Sequence, residues 1–371
     1  MMITEVTIEH FKKFGREEFH LDSSIVLAGP NNSGKTTLLQ AISVWNLGVQ
    51  KWLSERQELS KAKERTGIPI TRKDFTAIPL REMNLLWLDR RTAYRKDESP
   101  ERRSGEHKLI KISLSGRSPS TREEWRLAVG LRYANKEQVY VWLEDGNGNH
   151  VVDAPRAAKE MAVVHVPPFS GIGAEETGLN SGYQNMLVGQ GKPGDILRNL
   201  LLQVYKKREQ GEAEPWLSLV RSVRDLFGYQ LSDPIYNELT DPFIRVEYGH
   251  EEGDTTFDIA SAGSGFHQVL MLLSFFHARP ASVLLLDEPD AHLHVILQRQ
   301  VFDTLRSTAR EKQCQLLVST HSEVILQDAA PEQILSFYGS PHRLQVASEK
   351  DQVREALKRL SSLDLLSAES G

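Results

Sequence analysis

Gly29-Pro30-Asn31-Asn32-Ser33-Gly34-Lys35-Thr36-Thr37 decides how this chain is read. It fits G-x-x-x-x-G-K-[ST], the pattern of a loop that cradles phosphate. The context agrees on both sides. Residues 24–28 are apolar enough for a buried strand, and residues 38–42 start a helix. Glycines let backbone N–H groups curl round an anion with no β-carbon in the way. The helix N-terminus adds its positive end. Gly29, Asn31, Asn32, Ser33, Gly34, Lys35, Thr36 and Thr37 are therefore the candidate phosphate contacts. Lys35 can reach β- and γ-phosphates, and the Thr36 hydroxyl can hold Mg²⁺. An ordinary glycine turn before a helix would need neither the lysine nor the threonine.

Outward from the loop, the chain is predicted to be α/β. Residues 3–10 alternate as a strand, 11–15 turn, 17–21 form a second strand, and the helix after the loop runs from 35 to about 49. Residues 50–103 are polar and basic, broken by Pro69, Pro79 and Pro100, with one apolar island at 84–88. Segments 108–114, 125–133 and 138–143 form an antiparallel β-meander, a hairpin turn follows at 145–148, and 161–166 is a buried strand. Residues 171–194 are glycine-rich and read as a mobile loop. Asp195 then reads as an N-cap for helices over 196–205 and 216–227, a lobe inserted between two halves of the sheet. Strands at 242–248 and 255–259 follow, then a helix opened by residues 260–265. Strands at 282–286, 315–319 and 333–338 alternate with helices at 295–309 and 352–366. Three divisions result: 1–170 with the phosphate loop and meander, 171–240 as the helical lobe, and 241–371 as the second half of the core.

Two further stretches carry chemistry. In Val283-Leu284-Leu285-Leu286-Asp287-Glu288-Pro289 a buried strand ends in two acids, at the carboxyl edge where open α/β sheets bind ligands. Asp287 can hold Mg²⁺ through water, and Glu288 can orient or deprotonate an attacking water. Leu317-Val318-Ser319-Thr320-His321-Ser322 brings His321 to the same edge, where it can sense the γ-phosphate. Ser261, Gly263 and Gly265 open a helix whose N-terminus is an anion site with no ligand of its own chain. His292 and His294 form an H-x-H, but no third ligand stands near enough in sequence to make zinc the better reading. Asp290 reads instead as part of a loop crossing a dimer interface.

Composition bounds the partners. The single cysteine, Cys314, allows no internal disulfide, so a reducing, cytoplasmic setting is expected. No apolar run approaches a membrane span, and residues 1–14 are no signal peptide. Net charge is −5, yet residues 51–126 hold 19 Lys/Arg against 12 Asp/Glu. That basic stretch could meet DNA phosphates or an acidic partner.

Taken in order, the motifs resemble ATP-binding-cassette ATPases of the SMC/RecF/OLD group. Ile8–Phe14 is similar to that group's opening strand and turn, and Gly29–Thr37 to its Walker A. Ser261–Gln268 is similar to its signature segment, without the commoner L-S-G-G-Q wording. Leu284–Glu288 resembles Walker B, Asp290–His294 the D-loop, and Ser319–Ser322 the switch histidine. The D-loop wording is most similar to OLD-family nucleases and related phage-defence ATPases. The resemblance implies a P-loop ABC-type fold with a mixed sheet, meander and helical lobe. It implies ATP and Mg²⁺ as cofactors, and a head-to-tail homodimer. In that dimer ATP lies between the phosphate loop of one chain and Ser261, Gly263, Gly265 and Asp290 of the other. Lys35, Glu288 and His321 are then catalytic, and Thr36 and Asp287 hold the metal. It also implies a Mg²⁺-contacting glutamine at the lobe junction, and residues 78–91, which occupy that position in the order of motifs, contain none. OLD-like enzymes continue into a TOPRIM nuclease whose acids include D-x-D. This chain has no D-x-D, so the nuclease or other effector is expected as a separate chain or beyond residue 371. The expected function is an ATPase whose dimerisation switches a DNA-directed or anti-phage machine. The alternatives are an ATP-holding scaffold with negligible turnover and the motor of a membrane transporter. The signature wording and opening strand count against the transporter.

Overall fold

Strands buried on both faces can only sit between two layers, and here one parallel sheet is packed that way. The computed structural model describes residues 2–21, 24–58, 67–95, 105–118, 123–151, 153–250, 253 and 255–368. The chain begins with β1 (Met2–Phe11), β2 (Phe14–His20) and β3 (Ile25–Ala28), then α1 (Lys35–Glu58) and β4 (Ile68–Thr71). β5 (Ile110–Arg117), β6 (Glu124–Asn135), β7 (Gln138–Glu144), α2 (Arg156–Glu160) and β8 (Val163–Val166) follow. The helical lobe holds α3 (Ser181–Gly189), α4 (Leu197–Glu209) and α5 (Glu214–Phe227). β9 (Tyr229–Leu231), β10 (Glu247–His250) and β11 (Thr256–Asp258) make a small antiparallel sheet in the order β11-β10-β9. The chain then runs through α6 (Ser264–Ala278), β12 (Val283–Asp287), α7 (Val295–Glu311), β13 (Gln315–Thr320) and α8 (Glu323–Asp328). It ends with β14 (Ile334–Ser336), β15 (His342–Arg343) and α9 (Ala347–Ala368).

The parallel sheet has the order β15-β14-β3-β13-β12-β8, with only β15 antiparallel. Alternation splits β12 between two cores. Val283 and Leu285 join one cluster, Leu284 and Leu286 the other. The first cluster lies between this sheet and a six-stranded antiparallel sheet, β2-β1-β5-β6-β7-β4, with α1 between them. Trp45 Nε1 on α1 donates to the Leu127 carbonyl at 2.9 Å, and Gln315 on β13 exchanges two bonds with the Ile3 backbone at 2.7 and 2.9 Å. The second cluster packs α4, α5, α6 and α7 on the other face.

The expected α/β architecture is present, with several corrections. The meander is present and joins the opening hairpin in a sheet of its own, because β1 pairs with β5. Helix α1 continues past Val49, carrying Trp52 into the core. The segment 171–194 is no open loop. It contains α3, and a β-carbon at Gly189 would overlap the Thr76 carbonyl, so this glycine serves close approach and not mobility. Asp195 does not cap α4. The cap position is Ile196, and the buried Glu176 carboxylate accepts from the Arg198 and Asn199 amides at 2.8 and 2.7 Å instead. Burial pushes the Glu176 carboxyl up to about 7 against those bonds. Residues 242–248 are mostly irregular, with the strand starting only at Glu247. Within residues 78–91, the Leu86 carbonyl accepts from the Lys12 amide at 2.8 Å and Trp87 bridges to Phe11 of β1, while the chain enters the helices after β8.

Candidate active site

The ends of β3, β12 and β13 are neighbours by pairing, so their carboxyl ends deliver the three motifs to one edge. Gly34 takes φ +118°, a conformation costly for any residue with a β-carbon, and a β-carbon there would come within 2.7 Å of the Phe14 ring. Asn32 also has positive φ, at 62°. The turn starts α1 at Lys35, with Asn31 and Asn32 exposed and Thr37 buried. The Ser33 hydroxyl oxygen is buried with no partner among the described residues.

Lys35 is 4% exposed. Its Nζ donates to the Gly29 and Pro30 carbonyls at 2.8 and 2.9 Å and lies 3.1 Å from His321 Nε2. Burial lowers its pKa to about 8, while Glu288, Asp287 and Asp290 pull the other way. Thr36 Oγ1 donates to Asp287 Oδ1 at 3.0 Å. Asp287 is buried, and that burial raises its pKa against the Thr36 bond. Glu288 takes φ 52°. Its amide donates to the Ser319 carbonyl at 2.9 Å, and its carboxylate lies 3.4 Å from the same His321 Nε2. That imidazole holds the Glu288 carboxyl below its usual range. One nitrogen cannot both accept from Lys35 and donate to Glu288, so His321 must choose.

The other predicted residues fall into two groups. Asp290 is turned inward. Its carboxylate accepts from Thr320 Oγ1 at 2.6 Å, and burial raises its pKa. Ser261 and Gly263 are exposed at the start of α6, where no atom of the other described residues lies within 4 Å of a β-carbon at Gly263. Gly265 is half-buried, close to the His292 carbonyl. The structure thus joins Lys35, Thr36, Asp287, Glu288 and His321, and leaves Ser261 and Gly263 facing outward.

Sequence reasoning missed the residues that brace these loops. The Arg198 guanidinium, with its side chain 2% exposed, forks onto Asp258 at 2.8 and 3.2 Å. Asp258 in turn accepts from the Ala260 amide at 2.8 Å and so ties the lobe to the Ser261 segment. The available signal was a lone arginine within the apolar run that starts α4. Gln298 donates to the Leu293 carbonyl at 2.9 Å and accepts from Ser322 Oγ at 2.7 Å, linking the Asp290 loop to the His321 loop. Part of the basic stretch is paired with acids. Lys51, Arg72, Lys111, Arg117 and Arg126 each pair with an acid. Residues 59–66, 96–104 and 119–122 of it lie outside the described residues. Among the described residues no helix is long and apolar enough to cross a membrane.

A family model described as an AAA ATPase domain matches residues 1–65. A second, described as "AAA domain, putative AbiEii toxin, Type IV TA system", matches residues 176–327. No curated protein matches the chain. Among solved structures, an SMC head bound to the C-winged helix domain of ScpA superposes with TM-score 0.54 at 14% identity, covering 94% of this chain and 99% of that one. The Pyrococcus furiosus SMC head with an extended coiled coil, bound to the C-terminal domain of ScpA, gives 0.51 at 15% identity over 98% and 99%. The Pyrococcus yayanosii SMC head with a coiled coil and joint gives 0.51 at 12% over 97% and 99%. The fold is that of SMC heads, and the two family matches support a nucleotide-binding ATPase.

Proposed function

We propose that this chain is a Mg²⁺-dependent ATP hydrolase. ATP would close it head-to-tail on a second copy, and this cycle would switch a DNA-directed or anti-phage defence machine through a nuclease or other effector. The observation that carries the proposal is the convergence of Lys35, Thr36, Asp287, Glu288 and His321 on one sheet edge. The toxin wording of the second family description supports the defence setting.

The donors suit the metal. Thr36 and Asp287 offer hard oxygens 3.0 Å apart, and a cation would offset the burial that raises the Asp287 pKa. Bound Mg²⁺ would neutralise charge on the β- and γ-phosphate oxygens. The chain's own groups do the rest. Lys35 and the loop amides hold the phosphates, and Lys35 must leave the Gly29 and Pro30 carbonyls to do so. Its departure frees His321 Nε2 to donate toward Glu288 or a phosphate oxygen. Glu288, kept ionised, accepts the proton of the attacking water. Ser261, Gly263 and Gly265, with the Asp290 loop, complete the site from the second copy.

The test is ATP turnover by wild type and Glu288→Gln, with molar mass read in ATP. Turnover by wild type only, with an ATP-bound dimer of the variant, is the expected result. A wild type that is inert and monomeric in ATP defeats the proposal. A dimer without turnover leaves only the scaffold role. An effector domain would dock on this head as ScpA domains do on the SMC heads above. The surplus cations of residues 51–126 would meet DNA phosphates, and binding that does not weaken with salt would remove that part.

A further inference from the structure

A second concave site lies away from the phosphate loop. It is a cavity of about 320 Å³ between α1, the outer strand β8, α3 and the end of α6. Its polar walls are Ser43, Asn46 and Gln50 of α1, Asn185 of α3, His165 of β8 and Arg279. No acid lines it.

One observation points to a missing ligand. Arg279 is half-buried, and its guanidinium stacks on the Phe275 ring at 5.3 Å. No carboxylate pairs with it among the described residues, and burial lowers its pKa with nothing opposing. A desolvated, unpaired guanidinium is costly, and an anion is what removes the cost. His165 lines the same cavity, where its imidazole hydrogen-bonds the Ala77 backbone. Burial pushes that imidazole down to about 4, and the nearby Lys12 pushes the same way. Lys12 itself is half-buried and donates to Gln40 Oε1 at 2.5 Å. The cavity is therefore electropositive, with carboxamides and a hydroxyl able to fix orientation.

We infer that this cavity binds a small anion through Arg279, one bearing carboxylate or phosphate groups. Such a ligand would rest against the flank of the helix whose first residue is Lys35, and against the end of α6, whose other end carries Ser261 and Gly263. It would thereby touch both elements that must move together if the chain closes on ATP. Binding itself does not depend on the ATPase role.

Isothermal titration with inorganic phosphate and with citrate, on the full chain, tests this. Lys35→Ala removes anion binding at the phosphate loop, so binding that persists in this variant belongs elsewhere. Arg279→Gln should weaken that binding at least tenfold, as expected for losing a charge-assisted bond. Asn185→Trp, on an exposed helix face, should block it by filling the cavity. Without ligand, Arg279→Gln should melt at or above the wild-type temperature, because it removes an unpaired charge; a purely structural arginine would lower it. Binding of phosphate alone or citrate alone assigns the ligand class. No binding in Lys35→Ala, or equal binding in Arg279→Gln, overturns the inference.

Discussion

The two halves of the proposed ATP site are built in opposite ways. The phosphate-loop half is closed on itself. Lys35 bonds to its own loop carbonyls, Thr36 to Asp287, and a β-carbon at Gly34 would strike Phe14. The signature half is open. Ser261 and Gly263 are exposed, and no atom of the other described residues lies within 4 Å of a β-carbon placed at Gly263. Yet the open half is not loose, since Asp258 and Arg198 brace it from behind. A surface held rigid and left bare is suited to meeting a second molecule. On the proposed function, the difference would separate residues that act within one chain from residues that act across two.

The largest effect belongs to the closed half. Glu288→Gln should cut turnover roughly 100- to 10,000-fold, the span typical of a general base, while ATP affinity changes little. Steady-state phosphate release and equilibrium binding check the two parts. If affinity falls as far as turnover, Glu288 is a binding group and the division of roles is wrong.

Next comes the open half. Gly263→Arg should reduce turnover more than tenfold by blocking the partner's phosphates, with the melting temperature unchanged. Mixing chains is the sharper test. Lys35→Ala and Gly263→Arg should each have little activity alone, but a mixed dimer would hold one intact site, so activity should partly return. No recovery in the mixture would place Gly263 in the same chain's site and dissolve the comparison.

The two halves were also unequally legible in sequence. Residues 29–37 and 284–288 carry their meaning locally, since loop, strand and acids are adjacent. The braces do not. Glu176 caps a helix 22 residues later, and Arg198 reaches Asp258 across 60 residues, so no local spacing could announce either. The separate antiparallel sheet was missed for the same reason, as β1 finds β5 only after more than a hundred residues. Glycines misled in 171–194 because close packing and mobility leave the same composition. At Gly189 the neighbour that forbids a β-carbon is Thr76, which only the fold reveals.

A matched pair of small substitutions follows. Gly34→Ala should lose about 1–3 kcal/mol of stability, from positive φ and the Phe14 clash. Gly263→Ala should stay within about 0.5 kcal/mol of wild type. Gly263 already has φ −70°, which alanine adopts freely. Urea unfolding of both variants gives the numbers. Equal losses would mean that the open segment is strained too.

The smallest effect is a pH slope, and its sign separates binding from folding. Burial lowers the Lys35 pKa from 10.5 to about 8 in the free protein. Bound phosphates must raise it, because a nearby anion favours the charged form. Nucleotide affinity should therefore hold below about pH 8 and fall above it, by at most about tenfold per pH unit. Stability of the free protein runs the other way. The folded state prefers neutral Lys35, so this lysine's penalty fades as pH climbs from about 8 toward 10.5. Lys12 is also lowered to about 8 by burial, so Lys12→Gln is the control. The affinity slope should survive in Lys12→Gln and vanish in Lys35→Arg, whose guanidinium keeps its charge across this range. A slope that follows Lys12 instead would move the proton-linked phosphate contact from the phosphate loop to the turn after β1.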